Sequence, residues 1–297
     1  MNGDGVKRLT FVALLGLCVC AAGCVRPGGA ADGAGSTAAE GWVNFRLAEY
    51  DLALRDFTAA LASAEKGSDD YFQALFGLAN VWNLRRPNED LTKARALYRR
   101  IIEEAPDHDL AAWSTLALVR LQHVVPVGQE PDYEAVRAGY RALIEKFPGH
   151  LAAKEATIYL NATLVATLDP VHTRAAVSNL TAFIASGTKE FLQPAWSLLA
   201  VSYTTLDQPH KRLEAEIRAF ENTEIDPANP FNEFAWAYWN IATIAEFEVG
   251  DFDLARGYYR RLIEEYPADI RVYPSQEALA RMDRIEAALR EGREPAP

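Results

Sequence analysis

The sequence predicts an all-α fold, a right-handed superhelix of about six stacked helical hairpins finished by a C-terminal capping helix. Three observations predict it. One phrase recurs three times: 98–106 reads YRRIIEEAP, 140–148 reads YRALIEKFP and 259–267 reads YRRLIEEYP. Each phrase has a small or aliphatic residue four positions before its Tyr (Ala94, Val136, Ala255) and an aliphatic residue three positions after it. Steps of four then three keep side chains on one face of a helix. The composition agrees, being 49% hydrophobic and rich in Ala and Leu, residues with high helix propensity.

The stretch 239–267 displays a whole unit, with Trp239, Gly250, Phe252, Ala255, Tyr259, Leu262 and Pro267 at fixed offsets. Gly250-Asp251 interrupts one helix and starts the next, and Pro267 stops it. This spacing resembles the tetratricopeptide repeat. In that reading the small Ala lets two helices approach and the aromatic four residues on fills the gap. The expected packing residues are therefore Ala94, Tyr98, Pro106, Tyr140, Pro148, Trp239, Ala255, Tyr259 and Pro267. Six second helices follow from Ala53/Phe57/Ala60, Ala94/Tyr98/Ile101, Val136/Tyr140/Leu143, Ala176/Leu180/Phe183, Leu213/Ile217/Phe220 and Ala255/Tyr259/Leu262. They recur about every 40 residues rather than the usual 34 or so. Insertions at 85–90 and 123–132 account for part of the excess. The fourth and fifth units lack the closing Pro. At 275–291 a single amphipathic helix carries Ala278, Met282, Ile285 and Leu289 on one face, and it reads as a cap over the last repeat rather than a partner-binding helix.

At the other end, Lys7 and Arg8 precede an apolar stretch, 9–22, that closes on Ala21-Ala22-Gly23-Cys24. A basic start, a short apolar core and small residues before a cut describe a secretory signal. The last four residues resemble a bacterial lipobox, which implies cleavage before Cys24 and attachment of diacylglycerol to its sulfur. Cys18 and Cys20 fall in the removed segment, leaving Cys24 the only mature cysteine, so neither an intrachain disulfide nor a cysteine zinc site is expected. By the rule for Gram-negative lipoproteins, Val25 rather than Asp after the lipidated Cys implies the outer membrane. The expected organisation is a signal peptide over 1–23, a lipidated Cys and flexible tether over 24–39, a repeat domain over 40–292 and a disordered tail over 293–297. Thr37 and Glu40 have capping-box spacing at the first helix.

The formal charge of −11 and pI near 5.0 argue against nucleic acid and against anionic lipid as partners, since both need a basic surface. No apolar run reaches membrane-spanning length. His108, His123, His150, His172 and His210 lie far apart at helix ends, none at metal-ligand or catalytic spacing. Nucleophile elbows, phosphate loops and dinucleotide fingerprints are missing. Glu103-Glu104 and Glu264-Glu265 recur at one repeat position and read as solvated helix surface. The chain is therefore expected to be no enzyme and to hold no metal or cofactor.

The tetratricopeptide resemblance implies that the first helix of each hairpin lines a concave groove. Its residues there are Trp42, Phe45, Arg46, Gln73, Phe76, Asn80, Asn83, Ser114, Gln122, Thr163, Ser197, Thr204, Asn240 and Phe247. Trp113, Trp196 and Trp239 fall at packing positions instead. Trp42 and Phe45 have no preceding repeat, which leaves both packing and ligand contact open. A mixture of amides, hydroxyls and a few aromatics suits an extended peptide. The Lys and Asn pattern that clamps a C-terminal carboxylate in chaperone-binding arrays is missing. Lipobox, tether and the three Tyr-to-Pro phrases together resemble the BamD-type outer-membrane assembly lipoproteins, which have five hairpins and help a partner complex insert β-barrels. The expectation is a non-enzymatic, periplasm-facing scaffold for protein or peptide partners in the cell envelope, held in the bilayer by Cys24. The alternatives are an adaptor of secretion, pilus or cell-wall machinery, and a solute- or glycan-binding lipoprotein.

Overall fold

A computed structural model describes residues 38–84, 90–224 and 234–292. The signal segment, Cys24, Thr37, nearly all of the tether, the insertion at 85–89 and the tail lie outside the described residues. Among those described there are thirteen α-helices and no strand, so the fold is all-α and tetratricopeptide-like.

The chain divides into two compact units between Thr163 and Leu164. The first contains α1 (Ala38–Arg46), α2 (Tyr50–Ser63), α3 (Asp69–Asn83), α4 (Leu91–Glu104), α5 (Asp109–His123), α6 (Tyr133–Lys146) and most of α7 (Leu151–Val165). The second contains α8 (Pro170–Ala185), α9 (Leu192–Thr205), α10 (Pro209–Glu221), α11 (Phe234–Ile244) with a π turn at Ala245–Val249, α12 (Phe252–Glu265) and α13 (Val272–Arg290). Consecutive helices pair as hairpins: α1/α2, α3/α4 and α5/α6 in the first unit, α9/α10 and α11/α12 in the second. The division thus falls inside the first helix of the degenerate fourth repeat.

Local chemistry sets the helix ends. Asp90, Asp132, Asp169 and Asp251 cap the second helices by accepting backbone N–H bonds two or three residues on. Where the turn between the two helices of a hairpin is short, it passes through a residue with positive φ. Gly250 supplies it in the sixth hairpin (φ 78°), whereas Ala48, Leu168 and Asp207 occupy that conformation elsewhere at a cost of about 1 kcal/mol each. That substitution is why these turns were silent in the sequence.

The helices of the three repeated phrases stop at Ala105, Phe147 and Tyr266, whose N–H groups return to Ile101, Leu143 and Leu262 carbonyls. Each stands immediately before the phrase's proline, which disfavours helical backbone at the preceding residue. Pro106, Pro148 and Pro267 are themselves exposed, a correction to their reading as packing residues. They end helices and fill nothing.

Ala94, Tyr98, Tyr140, Ala255 and Tyr259 are fully buried, with Ile101, Leu143 and Leu262 beside them. Burying a side chain of this size contributes about 1.5–3 kcal/mol. Phe57 fills the same place in α2. Its ring lies between Gly41 and Gly77, where an added Cβ would stand 2.6 and 2.3 Å from ring carbons. In α10 the buried stripe is Leu213, Ala215 and Ala219, with Ile217 and Phe220 only half-buried. The four-then-three reading shares Leu213 with that stripe, and Ile217 and Phe220 pack against the same core from its edge. In α13, Ser275, Ala278 and Met282 are buried against the α12 hairpin, as a cap would be. Leu289 is exposed instead, since no described element follows to cover the last turn.

Candidate interaction surface

In the first unit the first helices of successive hairpins touch, α1 against α3 and α3 against α5. Their side chains facing away from the second helices are the candidate surface. Much of what the sequence assigned to it is used internally. Trp42 is half-buried, with ring centroids 5.5, 5.0 and 6.1 Å from Phe45, Phe57 and Phe76. Its indole N–H donates to Gln73 Oε1 at 3.2 Å. Trp42 and Gln73 therefore satisfy each other.

Three assignments are corrected outright. Phe76 is buried against Tyr98, ring centroids 5.7 Å apart. Ser114 is buried on α5 with no partner for its hydroxyl. Thr163 is buried too, its Oγ1 donating to the Leu160 carbonyl and accepting Arg137 Nε–H at 3.0 Å. The tetratricopeptide registration put these three on the open face, whereas each is buried. Asn80 donates to the Phe76 carbonyl, and Asn83 reaches the Tyr98 hydroxyl at 3.4 Å. Phe45, Ser197, Asn240 and Trp239 are half-buried, and Trp239 packs edge-on to Tyr259. Arg46, Gln122, Thr204 and Phe247 are exposed, with the Arg281 guanidinium over the Phe247 ring.

Each buried tyrosine of a repeated phrase finds a hydroxyl partner near the end of the preceding helix, as a buried phenol requires. The partner's chemistry changes: an amide at Asn83, an imidazole at His123 (3.0 Å), a carboxylate at Glu246 (2.9 Å). Burial, helped by the Arg120 charge, pushes His123 down to about 4, which keeps the ring neutral. Desolvation raises all three tyrosines.

Two identical triads were missed in the sequence. Tyr71 donates to Glu104 (2.8 Å), which also accepts Arg100 Nε–H (2.9 Å), while Arg100 bonds the Tyr71 oxygen. Tyr238, Glu265 and Arg261 repeat this at 2.7, 3.0 and 2.6 Å. Glu104 and Glu265 lie on the exposed helix surface, as the sequence reading expected, and their hydrogen bonds also close their hairpins. The bond from Arg100 holds Glu104 below the usual carboxylate range. The signal was in the phrases: the second Arg and second Glu stand four apart in YRRIIEE and YRRLIEE, and YRALIEK has neither.

Histidines also cap helices. His108 and His150 accept the Leu110 and Ala152 N–H groups through Nδ1, which leaves the proton on Nε2. That nitrogen faces Asp69 and Asp109 respectively, at 3.3 and 2.8 Å, tying each first helix to the one before.

Two buried glutamates complete the polar interior. Glu246, in the π turn of the second unit, accepts two bonds from Arg281 (2.8 and 2.6 Å) and one from Tyr259. Arg256, 8% exposed, reaches Asp283 and Glu286 of the same α13, each at 3.0 Å. In the first unit, Glu155 on α7 accepts the Tyr159 hydroxyl at 2.9 Å through Oε1. Arg120 on α5 comes no nearer than 3.8 Å, and Oε2 has no partner. Burial raises Glu155 above its ordinary range.

Among the described residues no group of three His, Cys, Asp or Glu could hold a metal ion, and no helix is long and apolar enough to cross a membrane. Tetratricopeptide repeat families match residues 39–109 and 235–269, so the chain carries these repeats. No curated protein matches its sequence. Among solved structures it is similar to PilW, described as a widely conserved type IV pilus biogenesis factor, at 16% identity and a TM-score of 0.53, over 79% of this chain and 94% of that one. It also overlaps an assembly chaperone of RpL4 (Acl4) at 15% identity and a TM-score of 0.35, over 96% of this chain and 91% of that one.

Proposed function

We propose that this chain is a non-catalytic scaffold that binds polypeptide partners in the cell envelope, held by lipid on Cys24 at the outer membrane and facing the periplasm. The observation that carries the scaffold reading is the tetratricopeptide hairpins over 39–109 and 235–269, because stacked first helices offer an extended polypeptide a continuous face. Ala21-Ala22-Gly23-Cys24 supports the anchor. The machine served is of the pilus-biogenesis kind, a reading supported by the extent of the PilW overlap. Outer-membrane barrel assembly of the BamD type is the second reading, supported by the lipobox and the three Tyr-to-Pro phrases. A glycan-binding role draws little support, since the Trp42 ring is packed and its N–H is engaged.

Gentle detergent capture of the full-length lipidated protein, with mass spectrometry of what accompanies it, tests the reading. Pilus or secretion components are expected. Recovery of a β-barrel insertase would move the assignment to barrel assembly, and recovery of no polypeptide partner would contradict both. Cys24→Ala is expected to shift the protein from the membrane fraction to the soluble one. Unchanged fractionation would remove the anchor.

A further inference from the structure

We propose that Arg120 and Glu155 form a reader for a neutral amide edge, the N–H and C=O that one residue of an extended polypeptide presents on the same side. This rests on the polypeptide-binding reading and gives it an address. Glu155 is 5% exposed, and its Oε2 is buried without a hydrogen bond. A buried polar atom left unpaired costs about 1–3 kcal/mol, more when charged, so its retention calls for an explanation. Arg120 supplies no bond to it. The guanidinium stacks over the Tyr159 ring at 4.9 Å, touches Glu155 only at 3.8 Å, and makes no hydrogen bond among the described residues. Its side chain is 22% exposed against 6% for Glu155. The pair is thus a part-exposed guanidinium, ion-paired but without a hydrogen bond, beside a buried carboxylate oxygen that has no hydrogen-bond partner among the described residues.

Charge selects the ligand. A cation approaching Oε2 meets Arg120, and an anion approaching Arg120 meets Glu155. A neutral group that gives one N–H and accepts one N–H satisfies both without leaving a net charge in a low-dielectric site. Either an extended backbone or an Asn or Gln side chain presents such an edge.

The test is NMR of the full chain, following the Arg120 Nε–Hε and Glu155 carboxyl resonances during titration. The probes are N-acetylalanine N-methylamide as a one-residue backbone, acetamide as a side-chain amide, and acetate and methylammonium as charged controls. N-acetylsarcosine N,N-dimethylamide keeps the carbonyls but has no N–H for Glu155 to accept. Saturable shifts of both resonances with the alanine probe are expected. The sarcosine analogue and the Glu155→Gln protein should each bind it roughly tenfold more weakly. Acetamide matching or exceeding the alanine probe would move the source from backbone to side chain while keeping the amide site. Equal shifts with acetate or methylammonium, no loss with sarcosine, or no saturable shift at all would overturn the proposal. In the last case an ordered water is what Oε2 holds. Polypeptide partners still captured by a Glu155→Gln protein at full strength would leave the scaffold standing and remove only this subsite.

Discussion

Glu246 and Glu155 are both buried glutamates beside a tyrosine hydroxyl and an arginine, yet the two sites are built to different standards. Glu246 has both oxygens engaged, three bonds in all, and Arg281 comes from α13 to make two of them. Glu155 has one oxygen hydrogen-bonded and one without a partner among the described residues, with Arg120 ion-paired at 3.8 Å but not hydrogen-bonded. A buried carboxylate that is fully hydrogen-bonded holds structure together, and here it fastens the terminal helix to the last hairpin. A half-satisfied one weakens the fold it sits in. That difference separates the polar interior that closes hairpins from the polar interior left for a ligand.

The contrast breaks most visibly at Glu246. Glu246→Ala strands Arg281 and the Tyr259 hydroxyl, and a loss of about 3–5 kcal/mol is expected, read as a large drop in thermal midpoint by circular dichroism. An unchanged midpoint would mean that the α13 ion pairs do not fasten it.

His123, which pairs with Tyr140 near the same Arg120, gives the next effect. Its pKa is depressed in the fold, so its contribution is present above the ordinary histidine value near 6.5 and is lost as pH falls towards about 4. The span is on the order of 3 kcal/mol. His123→Gln is expected to flatten denaturant-measured stability over that window, and a retained slope would assign the acid loss elsewhere.

Glu155 works with the opposite sign. Its raised pKa favours the protonated fold, so stability is fullest below the unfolded value near 4.5 and falls as pH rises through the folded value. Glu155→Gln is therefore expected to raise stability at pH 7 by about 1 kcal/mol. A loss there would mean that the charge is paired in solution. The smallest effect belongs to the exposed-edge triads. Glu265→Gln should cost less than about 1 kcal/mol, and that residue should lose its salt sensitivity. A cost like that of Glu246 would erase the distinction between closure and fastening.

The apolar half of this architecture was legible in sequence because it repeats. Ala, Tyr and Leu steps of four and three mark a buried stripe wherever a second helix packs, and Tyr98, Tyr140 and Tyr259 occupy it. The polar half was less legible. Ser114 and Thr163 lie on a stripe whose exposure depends on the neighbouring helix, which spacing within one helix does not encode. Glu246 turns inward in a π turn, where one extra residue shifts the face. His108 and His150 cap helices in place of the usual small polar residues, so cap rules passed over them. Arg100-Glu104 and Arg261-Glu265 could have been found, since the contrast with 140–148 was on view.

The measurement that reaches the central claim most directly is site-specific photocrosslinking of the full-length protein in its native cells. One photoreactive residue replaces Gln122, exposed on first helix α5, and in a second protein it replaces Glu103, exposed on second helix α4. Discrete polypeptide adducts at Gln122 and few at Glu103 are the result this account predicts. Adducts at Glu103 alone, equal labelling of both positions, or no polypeptide at either would contradict it.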